Sequence, residues 1–116
     1  MTKILAFSII AGAAFMLMDK PKTVTASYYG RKYDGRITAS GETFSHKKFT
    51  CASWDYPLGT VLKITRGKVS INVVCNDRGP AKRLLSTRQL DLSQAAFAKL
   101  GPLTKGLIRV QVEVVK

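Results

Sequence analysis

A chain of 116 residues, 46% of them hydrophobic, is long enough to bury the core of one domain and too short to divide into two. Nineteen Lys and Arg against seven Asp and Glu give a net charge of +12, spread along the chain rather than gathered in one block. A field of that sign favours polyanionic or acidic partners, namely nucleic acid, anionic lipid or an acidic cell-wall polymer, and charge alone does not choose among them.

Met1-Thr2-Lys3 is a short basic start, and residues 4–18 are an uninterrupted run of apolar and small side chains that ends at Asp19-Lys20-Pro21-Lys22. Such a run suits the core of a signal peptide and is short for a membrane span, so residues 1–20 read as an export signal. No small-x-small cleavage site stands out, which leaves an uncleaved N-terminal anchor open, and no cysteine precedes Cys51 to serve as a lipobox. Residues 21–116 are expected to form the folded domain.

Residues 23–29 are rich in β-branched and aromatic side chains and stop at Gly30, as a strand does. The next stretch, 30–48, carries glycines and basic residues with little periodicity and reads as a long surface loop, a usual place for binding elements. A short strand over 49–52 and a turn over 53–59 lead into a hairpin, 60–65 with 69–74, joined by Arg66-Gly67-Lys68. Residues 81–87 are basic and irregular. One helix is indicated: Asp91 and Ser93 stand where they can cap it, 95–100 favour it, and Gly101-Pro102 ends it. The closing stretch, 107–115, alternates apolar and polar positions as a strand. Several short strands, one helix and no βαβ rhythm describe an all-β barrel or sandwich.

Two features bear on chemistry. The apolar run that ends in Val73-Val74-Cys75 stops abruptly at Asn76-Asp77-Arg78-Gly79-Pro80, so Asp77 is expected at the rim of a sheet with rigid backbone behind it. A carboxylate there suits catalysis or binding, and it equally suits a turn in which it bonds its own backbone. Cys51 and Cys75 are the only cysteines, and an even count in an exported chain points to one disulfide between them, contributing roughly 3 kcal/mol. A cysteine nucleophile paired with His46, the only histidine, would lack an orienting third group.

Ala26-Ser27-Tyr28-Tyr29-Gly30, Thr38-Ala39-Ser40-Gly41-Glu42, Pro57-Leu58-Gly59-Thr60, Asn76-Asp77-Arg78-Gly79-Pro80 and Leu90-Asp91-Leu92-Ser93 follow one another in an order that resembles the rare lipoprotein A (RlpA) family. The resemblance implies a six-stranded double-psi β-barrel with one short helix, related to expansin and barwin domains. It also implies an exported peptidoglycan lytic transglycosylase, which cleaves between N-acetylmuramic acid and N-acetylglucosamine and leaves a 1,6-anhydro end. Functional acids are implied at Glu42 and Asp77, and a functional histidine where this chain has Ser53. Serine hydrogen-bonds but does not carry a proton near neutral pH as imidazole does, so that departure favours a rival: an expansin-like wall-binding module that does not cut glycan. In an enzyme, His46 or Asp55 would have to compensate.

Glycosidic cleavage needs an acid to protonate the leaving oxygen and a base for the attacking hydroxyl. Asp77 is the first choice for the acid and Glu42 for the second acid or base, with Arg78 pointing away or holding substrate. Asp91 either caps the helix or lines a groove. Tyr28, Tyr29, Tyr33 and Trp54 offer ring faces to sugars, Trp54 foremost. The expected substrate-binding set is therefore Ser53, Trp54, Tyr29, Arg78 and Asp91. No metal or cofactor is implied. Glycan strands of peptidoglycan are the expected partner, with nucleic acid disfavoured by the export signal and membrane contact only through residues 1–20 if they are retained. The protein is expected to be a monomer in the periplasm, cell wall or extracellular space.

Overall fold

The computed structural model describes residues 20–116, so the signal or anchor expected over 1–20 lies, save for Lys20, outside the described residues. Six strands, β1 Lys22–Tyr29, β2 Thr50–Ala52, β3 Val61–Arg66, β4 Val69–Asp77, β5 Leu90–Ser93 and β6 Ile108–Val114, close into a barrel in the order β1-β5-β2-β4-β3-β6. With the one short α-helix, α1 Gln94–Leu100, this is the expected six-stranded barrel. The β1–β5 and β2–β4 pairs are parallel and the other four antiparallel.

Period-two patterning fills the interior. Leu62, Ile64, Val73, Cys75, Leu90, Leu92, Val110 and Val112 are all buried, while Lys63, Asn72, Arg109 and Gln111 between them face solvent. Helix α1 adds Ala96, Phe97 and Leu100 to the same core, and the Tyr28 ring lies 4.7 Å from that of Phe97. Full burial of a Phe stabilises the fold by about 1.5–3 kcal/mol, enough to hold a seven-residue helix that would not persist alone.

Three sequence expectations change. The segment 90–93 is a strand, too short at Leu-Asp-Leu-Ser for its alternation to show. Asp91 consequently does not cap α1: it pairs with Ser27 and Ala52 inside β5, while Ser93, with extended backbone, accepts a hydrogen bond from the Ala96 N–H at 3.3 Å and donates to the Lys48 carbonyl at 2.5 Å. The expected Cys51–Cys75 disulfide is also absent. The two residues are direct partners on β2 and β4, but both are buried free thiols. A hydrogen bond between the sulfurs lowers the Cys75 pKa to about 7 and raises that of Cys51, and Cys75 Sγ also contacts the Tyr56 and Asp77 carbonyls at 3.8 and 3.9 Å. The pair therefore packs as two adjacent free thiols in the barrel interior.

Just past this pair the β2–β4 register shifts. Thr50 faces Val74 and Cys51 faces Cys75, but Ala52 faces Asp77, so β4 carries one extra residue, Asn76, as a β-bulge.

Two outcomes follow from this packing. Ser93→Ala removes the cap and strands the Lys48 carbonyl, and should lower stability in urea unfolding by about 1–3 kcal/mol. A thiol reagent without reductant should titrate both cysteines once the protein is unfolded and neither while it is folded; no reaction after unfolding would restore the disulfide.

Candidate active site

The shift at Ala52 places a carboxylate on either side of a small side chain. Ala52 is the partner of Asp77 on β4 and of Asp91 on β5. The two acids thus lie one strand either side of β2, in the row that faces away from Cys51, Cys75 and Leu92, and both line one groove of about 390 Å³. Ala52 also lines it. The backbone of Gly79 passes so close that a Cβ there would lie 3.2 Å from the Ala52 Cβ, which accounts for glycine at that position.

The acids sit in different environments. Asp77 Oδ1 accepts two backbone hydrogen bonds, from the Ala39 and Arg78 N–H groups, each at 2.9 Å. Those donors fix the carboxylate at the end of β4. Asp91 accepts one hydrogen bond, from Ser27 Oγ at 3.2 Å. Burial pushes its pKa up to about 6, with the Ser27 bond and the Arg88 charge opposing and the Asp77 charge adding to the rise. Tyr29 lines the same groove; burial first, and then the Asp77 and Asp91 charges, hold its phenol far above the usual range. It remains neutral at any working pH, its buried hydroxyl beside that of Thr50.

The outer wall is the loop 30–48. It is held by a one-bridge hairpin, Ile37 with Thr43, by the 4.4 Å stack of Tyr29 on buried Phe44, and by Asp34, which accepts from both the N–H and the Nδ1 of His46 at 2.7 and 2.6 Å. The His46 carbonyl in turn accepts from the Ala95 N–H of α1 at 3.0 Å. Ile37, 69% exposed, stands over the groove.

The sequence profile of a family described as "Lytic transglycolase" matches residues 11–112. This chain belongs to the RlpA-like double-psi β-barrel family. It is 45% identical over 92 residues to the protein named "Endolytic peptidoglycan transglycosylase RlpA" of Pseudomonas aeruginosa, an alignment that covers 77% of this chain and 26% of that protein. The chain spans about a quarter of the length of the first curated relatives it matches. Among solved structures, the Streptomyces papain inhibitor superposes with a TM-score of 0.68 at 25% identity, covering 85% of this chain and 97% of the inhibitor. An expansin of Clavibacter michiganensis superposes at 0.67 and 23% identity, covering 84% of this chain and 51% of the expansin, which shows the shared fold.

In this RlpA-like barrel several expected site residues lie elsewhere. Ser53 is fully buried, its N–H donating to the Asp77 carbonyl at 3.1 Å and its Oγ accepting from the Asp55 N–H at 3.0 Å, so it braces the turn after β2 instead of meeting substrate. Trp54 is outside the groove lining: its indole N–H donates to the Pro80 carbonyl at 2.7 Å and Lys82 Nζ lies 4.6 Å from the ring centroid. Arg78 lines the groove, but its Nη1 donates to the Ser53 and Tyr56 carbonyls at 2.8 and 2.6 Å and so ties the ends of β2 and β4 together. Glu42 is exposed beside the groove, accepting from Ser40 Oγ and, at 3.4 Å, from Asn76 Nδ2. Tyr28 belongs to the core. His46, held by Asp34, is not a groove residue. Sequence reasoning did not find Ser27 as a partner of Asp91, nor Arg36 and Ile37 as groove residues; the Ser-Tyr-Tyr end of β1 opposite Leu-Asp-Leu-Ser was the available signal.

The raised Asp91 pKa has a signed consequence for stability. A carboxyl that binds its proton more tightly when folded than when unfolded destabilises the fold as pH rises through that interval. Between about pH 4 and 6 the unsubstituted protein should therefore lose up to about 3 kcal/mol from this group, and Asp91→Asn should flatten that slope in urea unfolding at the two pH values.

Proposed function

We propose that this chain is a peptidoglycan lytic transglycosylase domain, cleaving the bond between N-acetylmuramic acid and N-acetylglucosamine and leaving a 1,6-anhydro end. The observation that carries the reading is the pair of carboxylates flanking Ala52 in one open groove, one of them half-buried and the other held by two backbone N–H groups. The names of its relatives supply the substrate class and reaction type.

The environments divide the labour differently from the sequence expectation. Asp91, protonated up to about pH 6, gives its proton to the departing O4 of N-acetylglucosamine as the C1–O4 bond breaks. The muramyl 6-hydroxyl oxygen then bonds to C1, and Asp77 accepts the proton it releases. Tyr29, whose hydroxyl is buried, presents its ring to the groove beside the two acids. Glu42, beside Asn76, orients the strand at the groove's edge. Such a domain works outside the cytoplasm, with residues 1–20 directing export and 21–116 acting on the wall as a monomer.

A second reading, glycan binding without cleavage, is favoured by one observation: no imidazole lines the groove, because Ser53 is buried in a turn and His46 is clasped by Asp34.

The deciding experiment incubates residues 21–116 with intact and stem-stripped sacculi and identifies soluble products by mass spectrometry. Anhydro-ended fragments, lost in both Asp91→Asn and Asp77→Asn while pelleting with sacculi persists, are expected, with a rate that declines above about pH 6. Pelleting without any soluble product from either substrate would establish the binding module instead.

A further inference from the structure

Beyond the two acids the groove continues into a second lobe of about 350 Å³, next to the 3-10 turn Arg31–Tyr33 and the chain that runs into β5. The lobes share Tyr29, Tyr33, Pro80, Ala81 and Asp91, so a ligand at the acids extends directly into it. Its cations are Lys32 and Arg88. Neither forms an ion pair among the described residues. Lys32 is exposed, its Nζ 5.2 Å from the Tyr33 ring centroid, whereas Arg88 is half-buried and its Nε is enclosed with no hydrogen-bond partner among the described residues. A surface arginine normally spreads its donors into water or onto a carboxylate. Here the one carboxylate lining the lobe, Asp91, accepts from Ser27 and makes no ion pair with Arg88. An enclosed donor without an acceptor is costly to keep; Arg88 still lines the lobe, so the outer part of its guanidinium is what an arriving anion would meet.

We infer that the second lobe is a carboxylate subsite, in which Arg88 and Lys32 hold a carboxylate carried by the glycan strand one sugar or so away from the bond at Asp91. The inference rests on the glycan reading of the groove. A guanidinium presents paired donors that match a carboxylate, and Lys32 adds a mobile charge at the lobe's mouth. Peptidoglycan offers that chemistry from two sources: the lactyl carboxylate of muramic acid once its stem is removed, and the carboxylates of the stem peptide while it is attached. A neutral glycan offers none, so this lobe would select acidic strands from uncharged ones.

The test measures pelleting of residues 21–116 with three sacculus preparations, intact, stem-stripped, and stem-stripped with carboxylates converted to amides. Lys32→Gln/Arg88→Gln should bind about tenfold more weakly than the unsubstituted protein to at least one of the first two, and equally to the amidated preparation. A loss confined to stem-stripped strands assigns the lactyl group, and one confined to intact strands assigns the stem. Lys32→Gln alone, at an exposed position, carries the test if the double variant does not fold. Lys63→Gln/Lys68→Gln, on β3 and its hairpin across the barrel, controls for the general positive field. An equal loss in that control, or on amidated strands, overturns the subsite, as does unchanged binding of the Lys32 and Arg88 variants. Failure of the unsubstituted protein to pellet with any preparation instead overturns the glycan reading, and the subsite with it.

Discussion

The single extra residue in β4 is the constraint on which the site depends. Side chains alternate across a sheet, so without Asn76 as a bulge Asp77 would continue the inward row of Val73 and Cys75 and bring a carboxylate into the core. The shift turns it into the row of Ala52 and Asp91 instead. Its surroundings hold the shift in place. The Ser53 N–H donates to the Asp77 carbonyl, Arg78 reaches back to the Ser53 and Tyr56 carbonyls, and the Trp54 indole fastens Pro80. Residues with an apparent claim on substrate are spent on holding the turn that follows the bulge.

With the acids fixed on opposite sides of β2, burial and backbone donors make them unlike. Asp91 takes its neighbours from β1, where Ser27 supplies one hydroxyl, and is otherwise shielded from water. Asp77 ends its strand at the loop 30–48 and receives the Ala39 N–H from it. The same loop that walls the groove therefore supplies a backbone donor to one acid and none to the other. Histidine's part in many hydrolytic sites is to move a proton near neutral pH. A carboxyl raised to about 6 occupies the same range.

The barrel was largely legible in the sequence because its hairpin and last strand alternate cleanly and because five short motifs stand in one order. The strand β5 was not, since four residues give two turns of alternation at most and the neighbouring Ser93 invited a reading of the whole segment as a helix cap. Asp77 and Asp91 could be picked out as residues, but not their division of roles, because that follows from which backbone N–H groups and which hydroxyl arrive from 38 and 64 residues away. Ser53 and Trp54 show the opposite case. Their place in the chain, next to the site, is local information, while the direction of their side chains is settled by Asp77, Asp55 and Pro80. The cysteines met across β2 and β4 as an adjacent pair, yet proximity alone did not make them a covalent one.

The parallel pairing of β1 bears on how the chain reaches this state. Ala26 partners Leu90 on one side and Ile108 on the other, and of the six strands only β3 and β4 meet through a tight local turn. Most of the sheet must therefore close long loops before any contact compensates for the lost chain entropy, which makes for slow folding. Until β6 arrives, β1 and β3 each present an open edge able to pair with another chain. A chain made from its N-terminus cannot complete the pairing of β1 until β6 is free, so the barrel closes only once the last of its six strands is present.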